Sequence, residues 1–275
     1  MSGVWREVAD RVHVLRHPVL DVNTTLVIGD GAALVVDTLS TPAQARVLAA
    51  AARRLTAAPW VLVNTHWHFD HAYGNAVLAE GQPTCDIWAH PETTAELAAQ
   101  TPARLRALHD EWLPAEPELA AGLLEVSVLA PNRAVRDSAD LDVGGRTVAL
   151  RHFGRGHTAG DLVVHVPDAG VVIAGDLVEH GAPPSFSDSY PLEWPHTVAE
   201  LLRLVTGPVV PGHGAVVDRE FVREQHDELS RLAWLIRDGH ADGADPRDVA
   251  RQAPFGERAA LPAVTRGYAE LSGRA

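Results

Sequence analysis

The run Thr65-His66-Trp67-His68-Phe69-Asp70-His71 constrains this chain more than any other feature. It directly follows Trp60–Asn64, an apolar stretch that reads as a buried strand. On a loop leaving a strand, alternate residues project to the same side, so His66 and His68 can face one point. Asp70 and His71 then fall on the following turn and can face a second point nearby. Neutral imidazoles and a carboxylate are the donors that Zn²⁺ takes in hydrolytic sites. A lone histidine on a polar loop ordinarily binds nothing. Three histidines and an aspartate between positions 66 and 71, after an apolar strand, form a metal-site pattern.

Three later segments repeat the design, each placing a ligand-type residue just after an apolar strand, among glycines. They are Gly154-Arg155-Gly156-His157-Thr158, Val171-Val172-Ile173-Ala174-Gly175-Asp176 and Val209-Val210-Pro211-Gly212-His213-Gly214. Glycine lets the backbone turn sharply and lets side chains converge. Gly-Asp after a strand is usually only a turn, so each segment alone is weak. Together they are strong, because one sheet edge can bring all these strand ends side by side.

Composition removes several alternatives. All 23 basic residues are arginine, so a Schiff-base lysine, a lysine nucleophile and a P-loop lysine are excluded. The net charge of −13, with no basic stripe, argues against nucleic-acid binding, which depends on neutralising phosphates. No apolar run is long enough for a membrane span, and the first ten residues lack a signal-peptide pattern, so a cytoplasmic protein is expected. A single cysteine, Cys85, excludes an internal disulfide framework and reads as an inert thiol.

The patterning predicts strands at Arg11–Leu15, Asn23–Ile28 and Ala33–Val36. A helix from Pro42 to about Ala58 follows, capped by Thr41, and then the strand at Trp60. Glu92–Leu124 reads as irregular helix broken by Pro102, Pro114 and Pro117. Strands return at Glu125–Leu129, Thr147–His152, Leu162–Val166, Val171–Ala174 and Val209–Val210, with a turn at Gly144-Gly145. A helix over Thr197–Leu204 precedes the last of these. Asp218 should cap a long helix to about Asp238, ended by Gly239, with two short helices after Ala241. The apolar residues Phe221, Val222, Leu229, Leu232, Leu235 and Ile236 read as core packing, with a homodimer interface as the alternative. The whole implies an α/β chain of two sheets packed face to face with helices outside, in one domain with a helical extension from about residue 218.

From about Val12 to Val217 the sequence resembles the metallo-β-lactamase-fold hydrolase superfamily, in the His-x-His-x-Asp-His cluster and the order of the later motifs. The resemblance implies an αββα sandwich of two mixed β-sheets with a metal site at their shared edge. It implies that His66, His68 and His157 hold one metal and Asp70, His71 and His213 a second, with Asp176 bridging them. Asp37 falls where relatives often place an acidic residue that orients the ligands. The cofactor implied is two Zn²⁺ ions, with iron or manganese as alternatives. An aspartate at 176, where true metallo-β-lactamases commonly have Cys or Ser, points to other branches such as thioesterases, lactonases or phosphodiesterases.

The leading expectation is a dinuclear zinc hydrolase of a small carbonyl substrate: an ester, thioester, lactone or amide. In it Asp70 also handles a proton. The alternatives are a mononuclear iron oxygenase of the persulfide dioxygenase type, a β-lactam hydrolase, and a binding protein that has lost activity. Trp112, Phe186, Tyr190 and Trp194 are expected to include pocket-wall residues, on irregular segments near the motifs. Trp67 and Phe69 are expected to pack beneath or beside the ligand loop. His109, His152 and His180 are candidates for the mouth, and the other histidines for surface or capping roles.

Overall fold

The computed structural model describes residues 4–82 and 84–273. Its framework follows from strand periodicity. Strands β1 (Arg6–Ala9), β2 (Val12–Arg16), β3 (Asn23–Ile28), β4 (Ala33–Val36), β5 (Trp60–Val63), β6 (Ile87–Ala89) and β7 (Arg133–Ala134) form one sheet in chain order. It is antiparallel from β1 to β4 and parallel from β4 to β7. The second sheet holds β8 (Ser138–Val143), β9 (Arg146–Arg151), β10 (Val163–Val166), β11 (Val171–Glu179) and β12 (Val209–His213), in the order β12-β11-β10-β9-β8. Only its β11–β12 pair is parallel.

Because side chains alternate across a strand, each sheet must cover two faces. Val27, Leu34, Val36 and Val63 of the first sheet meet Val148, Leu150, Val164 and Ile173 of the second in one buried core. Their neighbours Leu26, Ala33, Val35 and Leu62 point the other way. They are covered by α1 (Pro42–Arg53) and by α3 (Asn75–Ala79), which follows the short α2 (Phe69–Ala72). Val172 and Ala174 turn outward from the second sheet onto α7 (Trp194–Leu202), α8 (Arg219–Ala241), α9 (Pro246–Ala250) and α10 (Glu257–Leu271). The result is the expected αββα sandwich of two mixed sheets. Truncating a fully buried residue such as Leu34 to alanine would cost about 2–5 kcal/mol. A smaller cluster packs α4 (Pro91–Ala98), α5 (Pro102–Trp112) and α6 (Pro117–Leu123) against the segment that follows β5.

The caps read from the sequence are in place. Thr41 accepts from the Gln44 amide with Pro42 in the first turn, and Asp218 accepts from the Phe221 amide at 3.0 Å. Several boundaries differ. Helix α1 stops at Arg53, short of Ala58. The apolar alternation at Glu125–Leu129 forms no strand; Val126 and Val128 pack on the helical cluster, and β7 occupies the place beside β6. Strand β11 runs on through Gly175-Asp176 to Glu179 where a turn was expected. Gly239 does not end α8. It is buried, and a β-carbon there would lie 2.4 Å from Val249, so it serves close helix packing instead of a stop. The core-facing reading of α8 holds for Val222, Leu229, Leu232 and Ile236. Among the described residues, no helix is long and apolar enough to cross a membrane.

Candidate metal centre

The ends of β4, β5, β11 and β12 meet at one edge of the sandwich. Asp37 follows β4 with φ +64°, an uncommon conformation outside glycine that turns its carboxylate across the end of β5. Its Oδ1 accepts the Thr65 amide at 2.8 Å, and its Oδ2 accepts both the Thr65 hydroxyl and His71 Nδ1–H, each at 2.8 Å. His66 Nδ1 lies 3.0 Å from the same hydroxyl. His213 donates Nδ1–H to the Leu20 carbonyl at 2.7 Å, and the Asn23 amide holds the carbonyls of Pro211 and Gly214, each at 2.9 Å. These bonds turn Nε2 of His66, His71 and His213 toward the centre.

His68 is turned the other way round. Its Nε2–H donates to Asp188 Oδ2 at 2.9 Å, which leaves Nδ1 facing His157 Nε2 at 2.8 Å. Asp176 lies between the two halves of the site. Its Oδ2 is 3.7 Å from His66 Nε2, 3.4 Å from His157 Nε2 and 3.2 Å from His213 Nε2; its Oδ1 is 3.2 Å from His71 Nε2. Asp70 Oδ2 lies 3.4 Å from His213 Nε2. Gly212 makes room for the carboxylate, because a β-carbon there would fall 1.7 Å from Asp176 Oδ1.

All seven side chains singled out in the sequence therefore converge, in two groups. His66, His68, His157 and Asp176 offer ligand atoms within 4.8 Å of one another, and so do Asp70, His71 and His213. The donor set suits cations. His66 Nε2 and Asp176 Oδ1 are buried without any hydrogen-bond partner, an arrangement that costs about 1–3 kcal/mol per group unless something binds there. The charge balance agrees. Burial drives His66 well below and His157 down to about 4, so both stay neutral. Burial works against charge on His71 and His213 too, yet Asp176 and Asp70 hold His71 well above the usual histidine range and His213 up to about 10. In the metal-free chain, protons balance carboxylates that metal cations would otherwise neutralise.

A cavity of about 710 Å³ opens over the site, a volume typical of small-molecule pockets. Trp67, Phe69, Leu108 and Trp112 form its apolar wall, with the Phe69 and Trp112 rings 5.7 Å apart. Trp112 thus stands where expected, and Trp67 and Phe69 pack beside the loop on the helical cluster while also lining the cavity. Phe186 and Trp194 are core residues instead. Trp194 is fully buried 5.6 Å from the His157 ring and supports that ring from the core side. Tyr190 is absent from the cavity lining and lies under the Arg155 guanidinium. None of the three mouth candidates lines the cavity: His109 pairs with Asp110, His152 stacks on His90, and His180 packs on Phe221. Half-buried Cys85 lies apart from the site, its thiol pushed up to about 11 by burial. Asp188 was not foreseen, since Ser187-Asp188-Ser189 reads as an ordinary turn.

Residues 17–213 match the family model described as the metallo-beta-lactamase superfamily. The chain belongs to that superfamily. Among solved members of the fold, a metallo-beta-lactamase from Pontibacter korlensis is 20% identical, with a TM-score of 0.64 over 82% of this chain and 98% of that one. The DIM-1 metallo-beta-lactamase is 19% identical, with a TM-score of 0.65 over 84% of this chain and 98% of its own. The inverting sec-alkylsulfatase Pisa1 from Pseudomonas sp. is 15% identical, with a TM-score of 0.79 over 98% of this chain; the match spans 50% of the sulfatase. At these identities the likeness establishes the superfamily fold and no substrate. No curated protein sequence matches this chain.

Proposed function

We propose that this superfamily member is a metal-dependent hydrolase with a dinuclear site, zinc being the expected metal, that acts on a small carbonyl substrate such as an ester, thioester, lactone or amide. The observation that carries the reading is the convergence of two ligand groups at the floor of a cavity of small-molecule size. His66, His68 and His157 would hold one ion and Asp70, His71 and His213 the other, with Asp176 shared. Bound metal supplies Lewis acidity and a water acidified to near neutrality.

The chain's own residues do the rest. Asp37, Thr65 and the Leu20 carbonyl fix the rings of His71, His66 and His213, so the ligands need no reorganisation during turnover. Asp70, at the cavity floor, takes the proton of the attacking water and returns it to the leaving group. Trp67, Phe69 and Trp112 seat an apolar substituent and keep bulk water from that side.

The test is elemental analysis of protein purified without added metal, followed by a panel on zinc-loaded protein. The panel comprises chromogenic esters, thioesters, lactones, amides, phosphodiesters, a β-lactam and a secondary alkyl sulfate, the last because of the fold shared with the sulfatase. Two zinc equivalents with turnover of a carboxylic acid derivative are expected. One equivalent of iron would favour the oxygenase chemistry and overturn the proposal.

A further inference from the structure

The segment that carries Asp188 is held by a residue far along the chain, beyond the 17–213 stretch that defines the family match. Arg266, on α10, donates Nε–H to the Ser189 carbonyl and Nη1–H to the Ser187 carbonyl, the latter at 3.5 Å. These are the two carbonyls that flank Asp188. The segment is anchored around them. Phe186 and Ser189 are buried, and the Tyr190 amide donates to the Gly156 carbonyl at 2.7 Å, next to His157. Asp188 alone of this stretch reaches His68, at 2.9 Å.

We infer that Arg266 is a positioning residue of the metal centre: the C-terminal helix fixes Asp188, which fixes the ring of His68, which presents Nδ1 beside His157. This rests on the reading of the clusters as metal sites. The planar guanidinium matters here, because its separated N–H groups can take two carbonyls at once, and a lysine ammonium offers no such fork. Without the clamp, the carbonyls of Ser187 and Ser189 lose their shared donor between the fixed ends of the segment, and Asp188 and the His68 ring lose their fixed orientation. Loss of a partner that orients a metal-bound histidine typically lowers metal affinity 10–100-fold.

The test is zinc titration of the full-length chain against a chromophoric chelator, for wild type, Arg266→Ala, Arg266→Lys, Asp188→Ala and the double variant Arg266→Ala/Asp188→Ala. Circular dichroism and thermal melts of the metal-free proteins establish that each variant folds. The expected result is a loss of about tenfold or more at the His66–His68–His157 site in Arg266→Ala. The affinity of the second site should stay within twofold. Arg266→Lys should restore little, and Arg266→Ala should add little once Asp188 is gone. Unchanged affinity in folded Arg266→Ala overturns the inference, as does an effect that adds fully to that of Asp188→Ala. If Arg266→Ala fails to fold, Arg266→Lys decides by the same criterion. Failure of every substrate in the panel would instead count against the proposed reaction and leave this result standing, while a wild type that takes up no metal would overturn both.

Discussion

Individual atoms decide the behaviour of the centre. Asp70 both completes the second ligand group and lines the cavity, as the proposed double role in binding and proton transfer requires. Asp70→Asn should leave the melting profile of the metal-free protein unchanged and lower kcat/KM about 10²–10⁴-fold. Turnover within threefold of wild type would remove Asp70 from the mechanism. Gly212 acts through space alone. In Gly212→Ala the new methyl group would fall on Asp176 Oδ1, so the shared carboxylate must swing away. The same methyl would lie 2.9 Å from the Gly175 backbone of β11, so the β11–β12 pair must also give, and metal affinity should fall at least tenfold, measured by chelator competition. The seven candidate side chains were legible because His66, His68, Asp70 and His71 crowd one segment after β5, while His157, Asp176 and His213 each follow a glycine. Asp188 was not legible, because its partner His68 is 120 positions away and nothing local marks it. Trp194 and Phe186 misled for a related reason: aromatic residues near motifs can be walls or foundations, and only packing distinguishes them.

At the scale of elements, the sequence misread those whose fate depends on neighbours. Glu125–Leu129 alternates as a strand should, but Val126 and Val128 are drawn onto the helical cluster and β7 takes the place beside β6. Gly175 and Gly239 looked like stops, yet each permits a close approach, to Thr65 and to Val249. Helix α4 is capped by His90, one of the histidines expected in surface or capping roles, with Nδ1 accepting the Glu92 amide at 3.3 Å. Burial, then the stacked His152 ring 4.2 Å away, pushes His90 down to about 4. Its unfolded value is about 6.5, so between these values the unfolded chain binds more protons than the folded one. The His90 contribution is therefore complete above pH 6.5 and is lost as pH falls toward 4. His90→Asn keeps a capping oxygen and removes the titration. Urea unfolding at several pH values should show a shallower acid limb between about 6.5 and 4 than in wild type; an identical slope would refute the assignment.

Across the whole molecule, three apolar layers hold the two sheets and their helices together without help from a ligand. Chelation should therefore leave circular dichroism near native while abolishing activity reversibly. It should also lower Tm, because a ligand at 1,000 times its Kd stabilises by about 4 kcal/mol. For a chain of this size the shift is on the order of 10 °C; an equal Tm with and without chelator would show that no metal binds the native state. The two-sheet architecture was legible as a whole because period-two patterning reports which faces are buried. The seam between the sheets carries a further consequence, one of timing. His71 and His213 meet across 142 residues, and Asn23 must clasp carbonyls near the far end of that span. A ribosome adding about 5–20 residues per second needs about 7–28 seconds between them. Until His157 and Asp176 are made, His66, His68, Asp70 and His71 stand on a half-built sandwich, and His213 is lacking to the end of that interval. Whatever ion they meet then is held by an incomplete set of donors. A metal acquired by the complete donor set would then be chosen by the finished protein, after synthesis, from the ions around it.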